Sequence, residues 1–131
     1  MVEQDKHTLT KKERLDSLTL IEELFSGGSR SLPSFPLRIV YMPVEDETRP
    51  TLSLLISVPK KRFKRAVKRN LVKRQIREAY RMNKNLLLRP LEEAGKKAVI
   101  AFIWLDNGLR TSVQVEDTVK KLLQLTAERL I

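Results

Sequence analysis

The stretch KKAVIAFIWL, residues 96–105, constrains this chain more than any other. It is an almost unbroken apolar run rich in β-formers, the pattern of a strand buried in the middle of a sheet. Other elements must supply its neighbours and its cover. PLRIVYMP, ending at Pro43, alternates Leu37, Ile39 and Tyr41 with Arg38, Val40 and Met42, and reads as a second strand. TLSLLISV, from Thr51 to Val58, reads as a third, joined to the second by the acidic loop VEDETRP. That link is too short for a helical crossover, so the second and third strands are expected to pair antiparallel.

Helices complete the layers. In TLIEELFSGG, Thr19 and Glu22 stand at capping-box spacing, Leu20, Ile21, Leu24 and Phe25 share an apolar face, and Gly27-Gly28 ends the helix. Its start is expected as early as Lys12. SRSLPSFP reads as a connector, and DNG at 106–108 as a turn. From Val115 onward, Val115, Val119, Leu122, Leu123 and Ala127 recur at helical spacing, giving a closing amphipathic helix. The expected fold is α+β: a small antiparallel or mixed sheet with helices, in a ribosomal-protein-like two-layer sandwich. Its order is α-β-β-(β)-α-β-α, with the optional strand short. Residues 1–131 are expected to form one domain, the first dozen flexible.

KRAVKRNLVKRQIREAYR, from Lys64 to Arg81, is the third helical stretch and carries the function. Lys60 to Arg81 holds eleven of the chain's 26 cations against one acid, Glu78, in a chain of net charge +10. On a helical wheel Val72, Ile76, Ala79 and Tyr80 form the packing face. Asn70, Lys73, Arg74, Arg77 and Arg81 gather on another. Like charges at i,i+4 oppose one another by a few tenths of a kcal/mol each, so this face is relieved by a polyanion. Arginine forks suit phosphate, and Asn70 can reach sugar or base edges. A solvated surface normally mixes signs, and a membrane-surface helix would have bulkier apolar residues opposite its charges.

The sequence offers little for chemistry of its own. His7 has no partner at ligand spacing, the acids form no general acid and base pair, and Gly-rich phosphate loops are absent. Cysteine is absent, which excludes disulfides and thiolate metal sites and fits a reducing compartment. No apolar run is long enough to span a bilayer, and the N-terminus lacks a signal peptide's apolar region, so a soluble cytoplasmic binder is expected.

SVPKKRFKRAVKRNLVKRQIREAYR resembles the signature of the protein subunit of bacterial ribonuclease P. The likeness rests on Ser57-Val58, Lys60-Lys61, Ala66-Val67, Arg69-Asn70, Lys73-Arg74 and Arg77-Glu78, and extends more weakly over residues 12–131. Leu71 stands where that pattern has a second arginine, Pro59 replaces a serine, Arg62-Phe63-Lys64-Arg65 replaces a loop of small residues, and Ile21 replaces an aromatic. The resemblance implies a basic helix within a β-α-β crossover and a catalyst made of RNA, with Mg²⁺ on that RNA and no cofactor on the protein. Lys60, Lys61, Arg65, Lys68, Arg69, Asn70, Lys73, Arg74, Arg77 and Arg81 would bind RNA. Ile21, Phe25 and Tyr41 would line a cleft for the 5′ leader of precursor tRNA, as single-strand binders combine cations with apolar platforms. No obligate protein partner and no membrane is implied. The alternative from the residues alone is a non-enzymatic ribosomal or assembly protein that binds structured RNA. A helix-turn-helix regulator is disfavoured because a strand, not a short helix, precedes the basic segment.

Overall fold

The computed structural model describes residues 18–27 and 29–131. Expectations for the first dozen residues, for His7, for a helix start near Lys12 and for Gly28 lie outside this range. The described elements are α1 (Leu18–Phe25), β1 (Arg30–Ser34), β2 (Leu37–Val44), β3 (Leu52–Ser57), α2 (Ala66–Asn83), α3 (Asn85–Ala94), β4 (Lys97–Trp104) and α4 (Ser112–Leu130).

β4 takes the interior of a four-stranded sheet ordered β1-β2-β4-β3, as its composition requires. It runs antiparallel to β2, with Val40 opposite Ala101, and parallel to β3, with Leu55 opposite Ala101. The expected β2–β3 pairing therefore does not form: the two strands run in opposite directions, but β4 lies between them. A link of residues 45–51 can bridge this gap, because crossing two strand spacings needs about 10 Å and seven extended residues reach roughly 23 Å. Lys97, at the start of β4, holds the bridging loop in place. Its Nζ donates to the carbonyls of Glu47 (3.3 Å) and Arg49 (2.5 Å).

The optional short strand lies before β2, inside the segment read as a connector. β1 pairs antiparallel with β2 and forms the sheet's edge, where Pro33 can sit without removing an interior ladder bond. α3 was not anticipated. Lys84 keeps right-handed helical angles (φ −60°, ψ −26°) while ending α2 and preceding α3, so no stop signal separates the two helices. Pro90 lies inside α3 and obscures its periodicity, while Leu87 and Leu91 are its buried rungs. Gly95 ends it at φ 66°, a left-handed value that favours glycine. α1 already contains Thr19, so this residue is not its N-cap.

Two cores follow from the alternation of the strands. Leu37, Ile39, Tyr41, Leu54, Ile100, Phe102 and Trp104 meet Val72, Ile76 and Tyr80 of α2, Leu87 and Leu91 of α3, and Val115, Val119 and Leu122 of α4. On the opposite face Val40, Met42, Val99 and Ala101 meet Leu24 of α1. Each fully buried Leu, Ile or Val contributes about 1.5–3 kcal/mol by leaving water. The larger core fixes α2, so that its charged side is turned away from the sheet. α4 starts with a capping box: Thr111 Oγ1 accepts from the Gln114 N–H at 3.2 Å, and Gln114 Oε1 accepts from the Thr111 N–H at 3.0 Å.

Candidate functional site

α2 spans the parallel connection from β3 to β4 together with α3. Its N-terminal entry is closed by Phe63, buried in the larger core, and by Arg69, whose Nη1 donates to the carbonyls of Phe63 (2.7 Å) and Lys64 (3.1 Å). The departure Arg62-Phe63-Lys64-Arg65 is thus a built loop with a core anchor. Arg62 adds a bond from Nη1 to Asn107 Oδ1 at 3.3 Å, joining it to the turn after β4.

Beyond this entry the polar side of α2 carries Lys68, Asn70, Arg74 and Arg77 exposed, and Lys73 half-buried. Val72, Ile76, Ala79 and Tyr80 are the buried residues, as the helical wheel requires. The side chains of Lys73, Arg74 and Arg77 make no hydrogen bond or ion pair with any described residue. Arg81 differs: its guanidinium donates to Glu78, and that bond holds the Glu78 carboxyl below its usual value and raises Arg81 further. Leu71, in place of a cation, is half-buried on the helix flank. Lys60 and Lys61 are exposed immediately after β3, and Arg65, also exposed, precedes the first turn of α2.

The three proposed cleft residues do not meet on one face. Ile21 packs on the smaller core, and Phe25, at the end of α1, is 48% exposed beside it. Tyr41 is 2% exposed and belongs to the larger core on the opposite side of the sheet. Alternation along β2 explains this: the face toward α1 carries Arg38, Val40 and Met42, one residue out of phase with Tyr41. Arg38 is exposed on that face. Its register partner Ile103 is half-buried and lies opposite Ser57, the last residue of β3 before the Lys60-Lys61 loop. Arg38, Val40 and Met42 were not singled out in the sequence, although the same alternation contained them.

Among the described residues no group of three or more His, Cys, Asp or Glu side chains is placed to hold a metal ion, and no helix is long and apolar enough to cross a membrane. The arrangement is that of a basic α+β protein with an unneutralised cationic helix face and, on the far side of the sheet, an apolar surface edged by cations. The chain belongs to the ribonuclease P protein family: the family's model, described as Ribonuclease P, matches residues 9–126. It is 44% identical over 115 residues to the "Ribonuclease P protein component" of Porphyromonas gingivalis, covering 88% of this chain and 83% of that one. It is 38% identical over 109 residues to the corresponding component of Chlorobaculum tepidum, covering 78% and 70%. The fold matches a Staphylococcus aureus RNase P protein mutant with defective mRNA degradation activity at TM-score 0.70 and 20% identity, over 96% of both chains. The RNase P protein from Thermotoga maritima matches at TM-score 0.66 and 22% identity, over 86% of this chain and 96% of that one. None of these findings favours a ribosomal assembly protein.

Proposed function

We propose that this chain docks α2 on the catalytic RNA of ribonuclease P and steadies the 5′ leader of precursor tRNA on the α1 face of its sheet, in the cytoplasm. Family membership makes it a tRNA-processing, RNA-binding component of the holoenzyme. The carrying observation is the helix face on which Lys73, Arg74 and Arg77 stand together with no counter-charge from any described residue. Phosphates supply the missing negative charge, and Asn70 beside them offers a hydrogen bond to sugar or base. In this reading phosphodiester cleavage belongs to the RNA and its Mg²⁺ ions, and the described residues of the chain supply binding groups.

The leader is read as a single strand. Phe25 supplies an exposed aromatic face, Ile21 an apolar neighbour, and Arg38, Lys60 and Lys61 the cations along the edge. Tyr41 is left to the core. The test compares holoenzymes carrying the wild-type chain or Phe25→Ala, measuring affinity for leader-bearing and mature tRNA. The variant is expected to lose affinity for the leader-bearing substrate alone, by roughly five- to 150-fold if one base stacks on the ring. Equal affinities for both tRNAs, with and without Phe25, would remove the leader from this face.

A further inference from the structure

At the end of the sheet next to the entry of α2, the β1–β2 turn places Phe35 in solvent, 61% exposed. The Arg110 guanidinium lies over its ring at 5.2 Å from the centroid. That guanidinium is held from behind: Arg110 Nε donates to Asp106 Oδ2 at 2.7 Å, and the Gly108 N–H fixes the other carboxylate oxygen at 3.1 Å. The Arg110 main chain is held as well, because Gln75 Nε2 of α2 donates to its carbonyl at 2.9 Å. The stack is thus clamped to the basic helix one residue after Arg74. Its setting is cationic. Residues 34–36, 58–65 and 105–111 carry Lys60, Lys61, Arg62, Lys64, Arg65 and Arg110, and the single acid, Asp106, is engaged by Arg110.

We infer that Phe35 and Arg110 form a stacking platform for an unpaired base of the catalytic RNA, a contact separate from the phosphate-binding face of α2 and from the α1 face of the sheet. An exposed phenyl ring contributes little to the core. Backed by a fixed guanidinium, it presents a flat π-surface whose position is set before RNA arrives, and stacking of this kind accepts any base. The net positive surroundings favour RNA over a protein surface as the occupant. This inference rests on the docking of α2 proposed above.

The experiment measures the affinity of the full chain for a bacterial ribonuclease P RNA, across a salt series, for wild type, Phe35→Ala and Phe35→Trp. Phe35→Ala is expected to bind roughly five- to 150-fold more weakly, with an unchanged salt slope because no phosphate contact is lost. Phe35→Trp is expected to restore most of the affinity. Thermal midpoints should stay close to wild type, which separates stacking from folding. Wild-type affinity in Phe35→Ala overturns the platform, as does equal weakness of the alanine and tryptophan variants. Unchanged RNA binding with altered self-association of the free protein overturns it in favour of a protein contact. Failure of the wild-type chain to bind the RNA at all is a different result, because it removes the docking of α2 as well.

Discussion

Replacing Lys73, Arg74 and Arg77 together by alanine isolates the electrostatic part of RNA binding. All three side chains lie outside the buried stripe of α2, and none has a partner among the described residues, so their removal leaves no orphaned group in the protein. Lys73 and Arg77 are four residues apart, and losing that repulsion should raise helix stability by a few tenths of a kcal/mol. If each cation meets one phosphate, the slope of log affinity against log salt should fall by about 2–3, at roughly 0.7–0.9 per contact. Over a fourfold rise in salt, from about 50 to about 200 mM, the variant should then lose roughly 20- to 40-fold less affinity than the wild type. Filter binding to a bacterial ribonuclease P RNA at several salt concentrations measures this directly. An unchanged slope, with folding intact by circular dichroism, would refute the reasoning, because it would mean that these cations face water in the complex.

Three further outcomes follow from the packing. Tyr41→Ala should cost about 3–5 kcal/mol in urea unfolding, the range for emptying a buried aromatic site; a loss under 1 kcal/mol would return Tyr41 to the surface. Thr111→Ala should cost about 1 kcal/mol through loss of the α4 capping box, also read by urea unfolding, and an unchanged midpoint would argue against that cap. Burial pushes the Asp106 carboxyl up, but the Arg110 guanidinium and the Gly108 and Asn107 N–H groups together bring it below its ordinary value. A depressed carboxylate stabilises above its unfolded pKa and loses that contribution as pH falls through the folded one. The stability difference between wild type and Asp106→Asn should therefore be constant from about pH 5 to 8 and shrink below about pH 4. A difference that instead changes near neutrality would contradict the Asp106–Arg110 pairing as its source.

Much of this architecture is legible in the chain because local and global signals agree. The apolar run at 96–105 could only be an interior strand, and β4 is one. The wheel of α2 separated Val72, Ile76, Ala79 and Tyr80 from Asn70, Arg74 and Arg77, as the burial does. What escaped depends on non-local choices. Whether β4 enters between β2 and β3 is decided by which strand best fills the interior, and the length of the 45–51 loop permits either arrangement. β1 carries two prolines' worth of turn signal around an edge strand, and α3 follows α2 without a stop. The alternation of β2 already sets Tyr41 with Leu37 and Ile39, apart from Val40 and Met42, and it was the resemblance that grouped Tyr41 with Ile21 and Phe25 across the sheet. The Phe35–Arg110 stack joins residues far apart in sequence, and no spacing rule connects them.

The central claim is tested most directly by cleavage of precursor tRNA at low Mg²⁺ by a bacterial ribonuclease P RNA, with and without this protein. The account predicts strong stimulation of leader removal by the protein and no cleavage by the protein alone. Tight binding to unrelated structured RNAs with no stimulation of cleavage would contradict it.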